Sequence, residues 1–202
     1  MVNPKKDRTM ITKEVKWLKP APGWAKLNID GSYTAANGLA GCGGLIRGSD
    51  GQWITGFAKS INVSSSIATE LWALREGLTI CMEMQLQAVE VELDASTAIS
   101  LVSSNFSSNG NLSGLVDDCR GLLLRMPQAK VSHCYREANC YANALARIGA
   151  SSPPDCNHFV TPPPPPPFPP SLPPSIVSLL FSNFVGLYHN RACPREPSVS
   201  FS

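Results

Sequence analysis

The spacing of apolar residues changes from every second residue to a helical period and back again between residues 25 and 150, which strongly limits the possible folds. "KLNID" places Leu27 and Ile29 on one side of a strand and polar residues on the other. "AGCGGLIRGSDGQWITGFAKSI" contains two further strands joined by a Ser-Asp-Gly turn. The pattern predicts three strands that form an antiparallel meander.

From Ile67 to Cys81 the apolar residues recur at helical spacing, and Ser65 or Ser66 is suited to cap this helix. "AVEVELD" returns to alternation and predicts a fourth strand. The remaining elements are predicted as helices at Ser96–Asn105 and Leu112–Met126, a strand at Lys130–Tyr135 and a last helix from Glu137. This order favours an α/β fold with a single mixed sheet covered by helices.

Two segments outside this pattern differ in composition. Residues 1–26 hold seven Lys or Arg against two acids, and we expect residues 1–22 to form a flexible basic arm that contacts phosphates or is merely solvated. Fourteen of the eighteen prolines follow Gly149. We expect residues 151–202 to form a disordered proline-rich tail, in which Pro162–Pro170 could dock a proline-reading domain or have no function. The folded domain is then predicted at residues 23–150, and we expect a monomer.

The cysteines and the amino terminus indicate a reducing compartment. The seven cysteines form no C-x-x-C pair and no zinc-like spacing. The first residues lack the apolar core of a secretory signal, and the apolar stretch Ile176–Tyr188 is too short to cross a bilayer. We therefore expect an intracellular protein of the nucleus or cytoplasm with no membrane partner.

Three acids are expected to meet at one edge of the predicted sheet. Asp30 and Asp94 each end a strand on its polar side, and Glu70 flanks the buried stripe of the long helix. Side-by-side carboxylates repel each other unless a cation neutralises them, and convergent acids suit Mg²⁺. Each acid taken alone is more typical of an exposed charge, but their joint placement favours a metal site.

Five motifs resemble a known family in order and spacing. "KLNIDGS", "GCGGLIR", "ATELWALREGL", "VEVELDAS" and "HCYREANCYANALA" resemble the type 1 ribonuclease H fold, and in particular the plant reverse-transcriptase-like group derived from non-LTR retroelements. The likeness covers about Trp17 to Gly149 and includes the lead-in "WLKPAPGWAKLN". It implies a five-stranded mixed sheet, with a three-strand antiparallel meander and two parallel strands, flanked by helices.

The resemblance also implies an active site. Four acids hold two Mg²⁺ ions in that family, and the first three match Asp30, Glu70 and Asp94. Asn143 stands where the fourth acid is expected in a pattern like R-E-A-N-x-x-A-D-x-L-A. The family's mobile histidine matches His133, and a further asparagine matches Asn139.

Asn143 lacks the negative charge but retains a carbonyl oxygen that can face a metal or a water. Glu137 lies on a different side of the last helix and cannot replace it. We therefore expect the second ion to be held weakly, and the nuclease to be slowed and more responsive to Mn²⁺ or to high Mg²⁺. The alternative is an inactive nucleic-acid-binding module or a retroelement remnant.

The implied substrate is an RNA/DNA hybrid, whose RNA strand an endonuclease of this type hydrolyses. Such a hybrid is recognised through its shape, 2′-hydroxyls and phosphates. The candidate nucleic-acid contacts are Gly31, Ser32, Gly43, Thr69 and Asn139. Because residues 27–149 carry three more acids than bases, we expect weak affinity unless the basic arm or a partner helps.

Three other functions share features with this chain. Exonucleases of the same broad fold usually carry Asp-x-Glu on the first strand, whereas Asp30 is followed two positions on by Ser32. Sugar-kinase-like or actin-like ATPases would need a second domain and phosphate loops that this length cannot supply. A protein-interaction role through the proline-rich tail is the third.

Overall fold

A computed structural model describes residues 10–104, 110–153, 156–159 and 189–194 of the chain. The strands are β1 Met10–Val15, β2 Ala25–Thr34, β3 Leu39–Arg47, β4 Trp53–Ser60, β5 Ala88–Leu93, β6 Gln128–His133, β7 Cys156–Phe159 and β8 His189–Pro194. The helices are α1 Ser66–Glu83, α2 Ser96–Ser103, α3 Ser113–Arg125 and α4 Cys140–Ser151. None of the described helices is both long and apolar enough to cross a membrane.

The central sheet has the strand order β6-β5-β2-β3-β4-β7. β2, β3 and β4 pair antiparallel as a meander, whereas β5 runs parallel to β2 and β6 runs parallel to β5. These five strands confirm the predicted mixed sheet. β7 adds a sixth strand that pairs antiparallel with β4 and covers what would otherwise be an open edge.

β1 and β8 pair antiparallel in a separate two-stranded sheet. β1 lies within the segment expected to be a flexible arm, and β7 and β8 lie within the segment expected to be a disordered tail. Parts of both segments are therefore strands. The stretch Pro162–Pro170 lies outside the described residues.

The main core lies between α1 and one face of the sheet. The predicted apolar stripe of α1 is buried, with Leu71, Leu74 and Leu78 fully enclosed, and it packs with β2 and β5. Ser65, one of the two cap residues predicted, accepts a hydrogen bond from the Ala68 N–H at 3.3 Å. α2 and α3 add a second layer through buried residues such as Val116.

α4 covers the opposite face over β3 and β4, where Leu45 and Ala58 meet Leu145. A glycine on β3 allows the close approach of this helix: a Cβ added at Gly43 would lie 2.3 Å from the Ala146 backbone nitrogen. The last helix therefore rests directly on the backbone of the sheet. It begins at Cys140, three residues later than the predicted start at Glu137.

The polar side of β2 is buried, whereas the alternation had predicted a half-buried strand with a polar outer face. Lys26, Asn28 and Asp30 are only 3%, 1% and 2% exposed. α4 covers the end near Asp30, and the lead-in segment covers the other end, where the Trp17 indole donates to Asn28 Oδ1 at 2.9 Å. Arg47 donates to the same oxygen at 2.9 Å and lies over the Trp17 ring at 3.5 Å.

The prediction that Asp30 ends its strand was also wrong. β2 continues to Thr34 in pairing with β3, so Asp30 lies inside the strand. The parallel pairing of β2 with β5, however, stops at Asn28 and Glu92. Asp30 therefore lies just beyond the last pair of that ladder.

Candidate active site

Three carboxylates from three elements converge at the end of the β2–β5 ladder. Asp30 comes from β2, Asp94 directly follows β5, and Glu70 lies in the first turns of α1. One oxygen from each lies within 4.8 Å of the others. The structure thus brings together the three acids that the sequence placed at one sheet edge.

Glu70 is fixed by its contact with the strand that carries Asp30. The Gly31 N–H donates to Glu70 Oε2 at 3.1 Å. A Cβ at Gly31 would lie 2.5 Å from both the Glu70 backbone nitrogen and Thr69 Oγ1, so a glycine here permits α1 to approach β2.

Burial makes this cluster costly to ionise. It raises the pKa of Asp30 to about 8, with repulsion from Asp94 as the next cause. It raises the pKa of Glu70 to about 9, with repulsion from Asp30 and Asp94 added. A divalent cation would supply the missing positive charge, and a set of donors made only of oxygen is what Mg²⁺ and Mn²⁺ prefer. The residues present therefore fit such an ion.

Asn143 lies beside this cluster, at the position expected for a fourth acid. It projects from α4, and its Nδ2 donates to Asp30 Oδ2 at 2.7 Å. The amide nitrogen, rather than the carbonyl oxygen considered from the sequence, faces Asp30, because the Asp30 oxygen accepts a hydrogen bond in either protonation state. The acidic cluster formed by the described residues does not include Glu137.

Asn139 was proposed from the sequence as a nucleic-acid contact, but its placement does not support that role. The side chain is only 1% exposed, and its Nδ2 donates to the Ile29 carbonyl at 2.8 Å. This bond ties the start of α4 to the residue before Asp30. Asn139 therefore positions the helix that carries Asn143.

Two other proposed contacts are also inaccessible. Thr69 is fully buried, and its hydroxyl donates to the Ser66 carbonyl at 2.6 Å. Gly43 is covered by α4. Gly31 and Ser32 are partly exposed beside the acids, so these two remain available to a nucleic acid.

His133 lies at the exposed end of β6, level with Leu93 on the neighbouring strand and thus one residue from Asp94. Its ring meets Tyr135 edge-on, with ring centroids 5.8 Å apart. The histidine is therefore close in the sheet to Asp94 but is not one of the three residues whose ligand atoms converge.

Arg136 was not among the site residues predicted from the sequence. Its Nε lies 3.8 Å from Asp94 Oδ2, which makes it the cation nearest to the acids within the described part of the chain. The signal was available, because Arg136 opens the "REAN" stretch of a motif that was already singled out.

Comparison with known proteins agrees with this fold. The family model described as "Reverse transcriptase-like" matches residues 28–149. An Arabidopsis thaliana protein named as a ribonuclease H protein is 34% identical over 141 residues, which is 70% of this chain. The chain spans only 23% of the length of that relative.

Solved ribonuclease H structures have the same fold. The N-terminal RNase H domain of a Mycobacterium tuberculosis protein superposes with a TM-score of 0.59 at 18% identity, covering 63% of this chain and 94% of that one. RNase H1 of Halobacterium salinarum gives 0.58 at 20% identity, covering 63% and 98%. An RNase H1 in complex with an RNA/DNA hybrid gives 0.57 at 20% identity, covering 63% and 96%.

The match to more than half of the chain and the shared fold lead to one conclusion: this chain belongs to the reverse transcriptase-like family and carries a ribonuclease H-like domain.

Proposed function

We propose that this protein is a metal-dependent endonuclease that hydrolyses the RNA strand of RNA/DNA hybrids and that Asn143 weakens it. The observation that carries this proposal is the convergence of Asp30, Glu70 and Asp94, with one oxygen from each within 4.8 Å of the others. Because Asp30 and Glu70 are buried in this set, its ionisation lowers the stability of the fold unless a cation neutralises the charge.

The three acids would hold Mg²⁺, with Mn²⁺ as a substitute. When bound, the metal would lower the pKa of a water and stabilise negative charge on the phosphate. The protein's own part is to keep the carboxylates converged through the Gly31 and Glu70 hydrogen bond and to keep water partly excluded through α4. A second ion would be held weakly because Asn143 adds no negative charge.

The hybrid substrate is proposed from the relatives, one of which is solved in complex with an RNA/DNA hybrid. The partly exposed backbone at Gly31 and Ser32 lies where it could contact the strand that is cut. His133 lies at the exposed end of β6, paired with Leu93, where its imidazole could transfer a proton or assist product release.

The proposal is tested by cleavage of a labelled RNA/DNA hybrid in Mg²⁺ and in Mn²⁺. We expect slow cleavage by the native chain that is faster in Mn²⁺, and loss of at least about a hundredfold in rate for Asp30→Asn. Asp117→Asn is the matched control, because that carboxylate is 67% exposed on α3. Equal cleavage by native chain and Asp30→Asn, or no cleavage by the native chain, would reject the proposal.

A nucleic-acid-binding module without catalysis is the second candidate, and the 2.7 Å hydrogen bond from Asn143 to Asp30 favours it. The bond occupies an Asp30 oxygen that a metal would need. This candidate is supported if the native chain binds hybrids but cuts none, while Asn143→Asp cuts them. A native chain that cuts hybrids rejects it.

A further inference from the structure

We infer that Arg136 is a phosphate-binding residue of this site, which Asp94 holds until a divalent cation occupies the acids. The inference rests on the proposed function and adds a substrate contact to it. Arg136 Nε lies 3.8 Å from Asp94 Oδ2, while the arginine side chain is 68% exposed. A cation thus stands at the mouth of the acidic cluster with most of its surface open to solvent.

The backbone that carries Arg136 is fixed to the two strands that carry the acids. The Cys134 N–H donates to the Leu93 carbonyl at 3.0 Å, one residue before Asp94. The Asn139 N–H donates to the Arg136 carbonyl at 3.0 Å, and the Asn139 side chain is itself bonded to Ile29. The turn therefore keeps the arginine Cα near the acids, and only its long side chain is free to move.

The guanidinium retains donors for a ligand. An arginine has five N–H donors in a planar fork that matches a phosphate, and Arg136 approaches Asp94 through Nε. The terminal nitrogens make no hydrogen bond to any other described residue. An acidic cluster without such a cation would repel a phosphodiester, so Arg136 supplies the local charge that attracts one.

The pair with Asp94 is easily exchanged. A solvent-exposed ion pair with an N–O distance of 3.8 Å contributes little stability. If the acids held a divalent cation, the Arg136 guanidinium would lose Asp94 as its partner and would be free to donate to a non-bridging phosphate oxygen of a bound strand. Metal and arginine then compete for Asp94, whereas metal and phosphate favour each other.

This competition separates the inference from a merely structural role. If Arg136 only held Asp94 in place, its removal would weaken both metal and nucleic-acid binding. If Arg136 binds phosphate and pairs with Asp94 only while the metal is absent, its removal strengthens metal binding and weakens hybrid binding. The two effects have opposite signs.

The test uses the full chain with Arg136→Ala, Arg136→Lys and the control Arg125→Ala, which removes an exposed arginine at the end of α3. Mn²⁺ binding is measured by calorimetry without nucleic acid. Binding of an RNA/DNA hybrid is measured by fluorescence anisotropy in Ca²⁺ across a range of salt concentrations, and gel analysis verifies that the hybrid stays intact. Hybrid cleavage by the native chain is measured separately.

We expect Arg136→Ala to bind Mn²⁺ roughly two- to fivefold more tightly, because a competing cation is lost. Hybrid affinity should fall about tenfold, and the negative slope of log affinity against log salt should become shallower by about one. Arg136→Lys should be intermediate in hybrid binding, since a lysine lacks the planar fork. Arg125→Ala should match the native chain in both assays.

Hybrid affinity and salt slope in Arg136→Ala equal to those of Arg125→Ala would overturn the inference, and so would weaker Mn²⁺ binding. These outcomes do not depend on whether the native chain cleaves. A native chain that binds hybrids through Arg136 without cutting them supports the inference and rejects the proposed nuclease. A native chain that cuts hybrids while Arg136→Ala binds them normally does the reverse.

Discussion

Replacing Asp30 by asparagine should stabilise the metal-free protein at neutral pH. Asp30 is 2% exposed, and burial raises its pKa from the ordinary value of 3.8 to about 8. The native state therefore retains a proton that the unfolded chain releases above about pH 4. Stability falls as pH rises between these two pKa values, because the native state binds more protons than the unfolded state.

The size of the effect follows from the pKa difference. Between a pKa of 3.8 and pH 7 there are about three units, and each unit corresponds to about 1.4 kcal/mol, so ionisation linkage at Asp30 costs about 4 kcal/mol at pH 7. An asparagine is neutral at every pH and can still accept the bond from Asn143. Because its amide group also needs buried partners, we expect a net gain of about 2–4 kcal/mol at pH 7.

Urea unfolding with EDTA measures this gain at pH 4.0, pH 7.0 and pH 8.5. The gain of Asp30→Asn over the native chain should be close to zero at pH 4.0 and should reach its full value by about pH 8. The control Asp117→Asn, whose carboxylate is 67% exposed, should change stability by less than about 0.5 kcal/mol throughout. A gain independent of pH, or a loss of stability at pH 7.0, would refute the reasoning.

Three further substitutions test separate parts of the structure. Asn143→Asp places a second carboxylate at the 2.7 Å contact with Asp30, so urea unfolding in EDTA at pH 8.5 should show a free energy of unfolding about 1–3 kcal/mol lower. In Mg²⁺ the same variant should cleave hybrids about tenfold faster, and slower cleavage would contradict this. Trp17→Ala removes the indole hydrogen bond to Asn28 and the ring against Arg47, so urea unfolding should show a free energy of unfolding about 2–4 kcal/mol lower. Trp17→Phe keeps an aromatic ring and should lose only about 1 kcal/mol. Equal losses in the two variants would mean that the indole N–H is decisive. Gly43→Ala puts a methyl group 2.3 Å from the Ala146 nitrogen, so thermal unfolding should show a loss of more than about 2 kcal/mol, whereas Gly121→Ala on the open face of α3 should not be destabilising.

The strands, the long helix and the three acids were predictable because their signals are local. The strand alternation at Leu27 and Ile29 indicates one buried face within a few adjacent residues. The helical stripe from Ile67 to Cys81 does the same for α1. The placement of Asp30 and Asp94 then follows from the parallel pairing of β2 with β5. The resemblance to the family implied that these two strands are adjacent and parallel, whereas the order of the elements came from their periodicity.

Features that depend on distant segments were not predictable in this way. The burial of Lys26 and Asn28 requires the Trp17 segment to fold over the sheet, and alternation alone predicts a polar outer face. β7 pairs with β4 across almost a hundred residues of chain, and its four residues carry no distinctive pattern. The inaccessibility of Asn139 and Thr69 likewise depends on how α4 and α1 rest on β2.

The number of Mn²⁺ ions that the chain binds tests the central claim most directly. Calorimetric titration of the full native chain at pH 7.5, with Asp94→Asn as the reference, measures the site without relying on turnover. The account predicts one ion held by Asp30, Glu70 and Asp94 and a second held far more weakly, with both weakened or lost in Asp94→Asn. No Mn²⁺ binding by the native chain, or equal binding by Asp94→Asn, would contradict it.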